Sequence, residues 1–80
     1  MWRDFEGIIS GNGLRGTAVS GEVEETAGKP ATSQRGRFPW AGQHTFRTGE
    51  TYRLEIKGGR AYDAIITGIE PGPTVEFITH

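Results

Sequence analysis

Apolar and polar positions alternate most cleanly from Thr51 to Lys57, where Tyr52, Leu54 and Ile56 interleave with Arg53, Glu55 and Lys57. A period of two puts the first set on one face of a strand and the second on the other, the pattern of a half-buried strand. The run meets Gly58-Gly59, which supplies positive φ for a two-residue primed turn, and continues into Arg60 to Ile69, so a hairpin is predicted here. In its second strand Ala61, Asp63, Ile65, Thr67 and Ile69 share one side, and Tyr62, Ala64, Ile66 and Gly68 share the other. Both sides carry isoleucine, which suits a closed barrel, a two-sheet sandwich or a contact between subunits. Upstream, Trp2 to Ser10 and Leu14 to Val23 flank Gly11-Asn12-Gly13, and Asn-Gly is the pair that most readily adopts a type I′ turn, predicting a second hairpin. Downstream, Pro71-Gly72-Pro73 interrupts the chain before a short strand from Thr74 to Thr79 with Val75 and Phe77 on one side. Phe38-Pro39-Trp40 and His44-Thr45-Phe46 predict a bent, proline-interrupted edge strand, and Glu24 to Gln34, with no apolar residue larger than alanine, predicts a mobile loop.

Composition turns this pattern into a fold class. Thirteen glycines and four prolines leave Glu50 to Lys57 and Arg60 to Thr67 as the longest stretches free of both, too short for a helix of ordinary length. Seven isoleucines and nine threonines against two leucines favour the pleated surface. The reading is all-β: a small glycine-rich barrel or two-sheet sandwich of five to seven short antiparallel strands, with residues 1–80 forming a single domain. Ile, Leu, Val and Phe make up only 16 of 80 residues, so the one core is thin. A chain with so little apolar surface gains burial by pairing with another, and self-association is the expectation. Cysteine is absent, which excludes a disulfide framework, a thiolate metal site and a cysteine nucleophile. No window approaches the roughly 18 apolar residues of a membrane span, and the first residues lack the basic-then-apolar order of a signal peptide. The expectation is a cytoplasmic chain with no membrane partner.

Charge is segregated although the net is −1. Residues 1–28 hold two basic and five acidic side chains, 29–60 hold seven and two, and 61–80 hold none and three. The middle third therefore offers a basic strip of Arg35, Arg37, Arg47, Arg53 and Arg60 between acidic ends, unless pairing inside the fold cancels it. Arg35-Gly36-Arg37-Phe38-Pro39-Trp40 interleaves cations with aromatics, the ingredients for following a phosphate backbone while stacking bases. The thin core competes for the same Phe38 and Trp40. The candidate binding residues are thus Arg35, Arg37, Phe38, Trp40, Arg47, Arg53 and Arg60.

Catalytic signatures are weak. Gly11-Asn12-Gly13-Leu14-Arg15-Gly16 matches Gly-x-Gly-x-x-Gly, but the strand-like Thr17-Ala18-Val19 follows where a dinucleotide site needs a helix, so a turn and a glycine bulge are expected instead. No Gly-x-Ser-x-Gly elbow surrounds Ser20, and His44 is the one imidazole within the body of the chain. His44, His80 and Asp63 have no metal-ligand spacing. Asp63 stands in register with Ile65 and Ile69 and is expected on the face they bury, paired with Arg53 or Arg60. In size and turn density the chain resembles SH3-like and OB-like modules, without their binding signatures. A non-enzymatic protein-interaction module that self-associates is the first expectation, and a module for single-stranded nucleic acid or another polyanion is the alternative. No cofactor, metal or catalytic residue is assigned.

Overall fold

The computed structural model describes residues 2–24 and 34–79. Six strands follow in chain order: β1 (Trp2–Gly11), β2 (Leu14–Glu24), β3 (Arg35–Pro39), β4 (Thr51–Ile56), β5 (Ala61–Glu70) and β6 (Thr74–Thr79). They close into an antiparallel barrel in the order β1-β2-β3-β6-β5-β4, with β4 returning to β1. The fold class expected from the glycine and proline spacing is the one observed, as a barrel rather than a sandwich. No helix occurs among the described residues, so none is long and apolar enough to cross a membrane. The loop expected over Glu24 to Gln34 lies almost wholly outside the described residues.

Strand alternation decides what the barrel holds. Phe5 and Ile9 from β1, Val19 and Val23 from β2, Phe38 from β3, Tyr52 and Leu54 from β4, Ala64 and Ile66 from β5, and Val75 and Phe77 from β6 point inward. Phe46, on the connection after β3, plugs one end. The aromatics meet edge-on, with Phe5 and Phe77 at 6.0 Å, Phe38 and Phe46 at 5.6 Å, and Trp40 and Phe46 at 5.0 Å. Such pairs add to plain area burial, which helps a chain poor in aliphatic residues. At the other end, Thr79 is buried and satisfied, its amide donating to the Gln34 carbonyl at 2.8 Å while its hydroxyl accepts from the Gln34 amide.

Two turns bear on the hairpin predictions. Asn12 (φ 49°) and Gly13 (φ 87°) form the left-handed pair that a type I′ turn requires, and the register slips between Ile9 and Gly11 opposite Arg15-Gly16, where a bulge was expected. The Gly58-Gly59 turn is not the two-residue one predicted. Glu55 pairs with Ala61, the Gly59 amide donates to the Ile56 carbonyl at 2.9 Å, and of the two glycines only Gly58 has positive φ, which makes a type II turn in a longer connection.

That register also corrects the face of β5. Tyr52 pairs with Ala64 and Leu54 with Tyr62, so the side carrying Tyr62, Ala64 and Ile66 turns inward. Asp63 is therefore exposed, opposite Arg53 on the outer surface rather than in the core, Ile65 is half-buried, and Ile69 is exposed. The bent edge strand expected around Pro39 is also revised. β3 ends at Pro39 and pairs on both sides, with β6 along its length and with β2 at Glu22↔Arg37 and Val23↔Gly36.

Candidate interaction surface

The ring order splits the basic strip. β3 carries Arg35 and Arg37, whereas Arg53 lies on β4 and Arg60 in the β4–β5 turn, and β3 and β4 stand on opposite sides of a six-strand ring. The acidic N-terminal segment folds onto β3, while β4 pairs charges along its own length. Arg35 pairs with Glu24, Arg37 with Glu22 at 3.2 Å, and Arg53 with Glu55 at 3.1 Å. Arg37 further stacks over Trp2, 4.3 Å from the ring centre, a cation–π contact by a residue the sequence did not single out. Arg47 closes a turn, its amide donating to the Glu50 carboxylate at 2.9 Å. Of the aromatic candidates, Phe38 has no exposed surface and belongs to the core, because inward alternation on β3 requires it there. Trp40 is half-buried, with its indole N–H donating to the His44 carbonyl at 2.9 Å.

At the plugged end, the connection 40–50 brings His44 to a neighbouring pair, Glu50 and Tyr52. The Tyr52 hydroxyl donates to Glu50 Oε1 at 2.7 Å and lies 2.8 Å from His44 Nε2. A phenol has one proton, so with that proton on the Glu50 bond the imidazole donates its Nε2–H to the Tyr52 oxygen. Burial first, then the neighbouring Glu50 carboxylate, raises the phenol far above its ordinary range. The Tyr52 hydrogen bond, with smaller help from the Arg47 amide and charge, holds Glu50 below its ordinary value despite some desolvation. The Glu-x-Tyr spacing is a signal that would place the carboxylate beside the phenol, whereas His44 arrives through loop geometry. The adjacent hollow, about 250 Å³, is walled by Trp40, Phe46, Ile69, Pro73 and Val75, with Gln43, His44 and Thr45 as its polar side chains. The relay fastens the plug to the barrel. Among the described residues no three His, Asp or Glu side chains gather at a metal-sized site, and His80 lies outside the described residues.

Among the described residues, β2 leaves its β3-facing backbone edge unpaired over a longer stretch than β1 leaves its β4-facing edge at Trp2–Phe5. β1 pairs with β2 from Trp2↔Glu24 to Gly11↔Leu14, but β3 meets β2 only at Glu22 and Val23. Gly21 explains the parting: a Cβ there would sit on the Arg37 carbonyl and 2.8 Å from Phe38 Cα, so β3 crosses against β2 at this glycine and turns away toward β6. From Leu14 to Ser20 the outer edge has no strand partner, and no backbone hydrogen bond reaches it from elsewhere in the described residues. Gly16-Thr17-Ala18-Val19-Ser20-Gly21 contains no charge and no proline, the residues that commonly blunt an open edge. Beside it, Ile8 pairs with Ala18 on the outer face and is 47% exposed. At the Ser20 end, Asp4, Glu6, Glu22 and Pro39 surround a shallow hollow of about 640 Å³. No family model, curated protein or solved structure matches this chain.

Proposed function

We propose that this chain is a non-enzymatic protein-interaction module that takes an extended segment of another chain onto the open edge of β2. The observation that carries this reading is an uncharged backbone edge from Gly16 to Ser20 that has no strand partner among the described residues. An added strand would satisfy that edge through main-chain hydrogen bonds, and Ile8 and Ala18 would supply apolar contact on the outer face. Membership in the polyanion-binding class has less support, because Arg35, Arg37 and Arg53 each already have a carboxylate partner and do not share one face.

A photoreactive residue at position 18, compared with one at position 63 on the far side of the barrel, tests the reading. Covalent protein adducts at position 18 and none at 63, with the partner identified by mass spectrometry, are expected. Single-stranded oligonucleotides should bind no tighter than the roughly 10⁻⁴–10⁻⁶ M of non-specific association. Sub-micromolar oligonucleotide binding that falls steeply with salt and is lost in Arg35→Ala/Arg37→Ala would replace this reading with the polyanion alternative.

A further inference from the structure

We infer that the segment received by the β2 edge is the β2 edge of a second copy, paired antiparallel about a two-fold axis at Ala18. This rests on the interaction reading and names its partner. Side chains of paired residues lie on the same face only in registers that keep β2's inward and outward sets together, and centring on Ala18 does so. Gly16 then faces the partner's Ser20, Thr17 the partner's Val19, and Ala18 the partner's Ala18. Every outward position in this seam is small, so two copies approach with no side chain in the way.

The extent of the edge agrees with this register. β3 leaves β2 at Gly21, so an added strand finds room as far as Ser20, where the paired segment Gly16–Ser20 ends. On the outer face the dimer would join Ile8 and Ala18 of one copy to Ala18 and Ile8 of the other, turning an exposed isoleucine into part of a continuous apolar strip.

Charge supports the same arrangement. Asp4 and Glu22 stand directly opposite each other on the outer face of β1 and β2, a like-charge pair that weakens a ladder. Glu22 has Arg37, but Asp4 has no ion pair or hydrogen bond among the described residues. At the other end of the edge the Arg15 guanidinium is equally without a partner there. Antiparallel pairing about Ala18 carries each copy's Arg15 past the partner's Ser20 to the acidic hollow that Asp4 and Glu22 line. The two uncompensated charges of this region thus meet across the axis at both ends of the seam. A foreign strand would need to reproduce both the small outward positions and the basic residue, whereas a second copy has them by symmetry.

The test uses the purified full chain. Sedimentation from about 10 μM to about 1 mM, the range suited to a short edge contact, should show a monomer–dimer equilibrium. Ala18→Glu and Ala18→Lys each place like charges opposite each other and should weaken the dimer at least about tenfold, and an equimolar mixture of the two should restore it as the heterodimer. Because the chain has no cysteine, Ala18→Cys gives a second readout: directly opposed strand residues about 4.5–5.5 Å apart fall within disulfide reach, so oxidation should yield a covalent dimer where Thr67→Cys does not. Circular dichroism checks that each variant keeps its strands. A monomer at every concentration, or a dimer indifferent to charge at position 18, overturns the inference. Adducts at position 18 to a different protein, with the purified chain monomeric, would overturn it while leaving the interaction reading intact.

Discussion

Individual glycines set the limits of this fold more than any charged residue. Gly21 lets β3 cross β2 in contact, and Gly36 lies beneath the ring of Phe77, its cross-strand partner, with Cε1 2.8 Å from where a Cβ would stand. The close approach, not backbone freedom, is what these positions demand, since neither has positive φ. Gly21→Ala and Gly36→Ala should each lose on the order of 1–3 kcal/mol, as overpacking does, or roughly 4–8 °C in melting temperature per kcal/mol. Gly68→Ala is the control: its nearest neighbour is a Glu76 side-chain oxygen at 3.6 Å, and thermal unfolding should be neutral or slightly improved, within about 1 kcal/mol. A melt in which all three behave alike would remove the close-packing explanation. These contacts are invisible in sequence, where one glycine in a strand looks like another. Trp2 illustrates the same limit, because its partner Arg37 is close only once β1, β2 and β3 are in register.

Elements were more legible than contacts. The alternation Tyr52-Arg53-Leu54-Glu55-Ile56 identified β4 and its inward face, and Asn12-Gly13 identified the first hairpin with its turn type. The face of β5 was not legible from β5, because Ile65 and Ile66 advertise opposite sides equally. It follows from the β4–β5 register, which a two-residue difference in turn length would leave and a one-residue difference would reverse. The open edge of β2 was hidden for a related reason: the apolar run of β2 says which face is buried, while an unpaired edge is a property of where its neighbour β3 departs. At the tip of the first hairpin the Asn12 side-chain amide donates to the Thr51 carbonyl at 2.8 Å, tying the turn to β4. Asn12→Ala should lose both this bond and the residue's tolerance of left-handed φ, about 1–2 kcal/mol in chemical denaturation, whereas Asn12→Asp, which tolerates the same φ, should lose less.

Across the whole molecule, two carboxylates give stability a pH dependence with opposite signs. Glu76 shares a hydrogen bond with Glu70, and this contact, with Glu70's charge and some burial, raises its carboxyl above its ordinary value near 4.5 against the pull of Arg37 and Arg35. A raised pKa favours the protonated form in the fold, so the stability it contributes is fully present below pH 4.5 and lost as pH rises through the raised value. Glu50 is lowered, so its contribution is present above 4.5 and lost as pH falls through its folded value. Acidification from neutrality should therefore first strengthen the barrel and then weaken it. Glu76→Gln should remove the rise, and Tyr52→Phe, by deleting the main hydrogen bond to Glu50, should flatten the fall. Denaturant midpoints measured from pH 7 to pH 3 read both, and a wild-type profile that only declines would contradict the assignment to Glu76.

Charge segregation along the chain had a different meaning from the one its linear order suggested. Glu22 and Glu24 of the acidic N-terminal segment meet Arg37 and Arg35, while Arg53 pairs with Glu55 of its own strand. On β2 the backbone edge from Leu14 to Ser20 has no strand partner among the described residues. Amide hydrogen exchange over Leu14 to Glu24, recorded from dilute to concentrated protein, reads that edge directly. In dilute solution, amides directed away from β1 between Gly16 and Ser20 should exchange rapidly while those bonded to β1 are protected, and the rapid set should gain protection as concentration rises. Uniform protection of Gly16–Ser20 at the lowest concentration would contradict an open edge on β2.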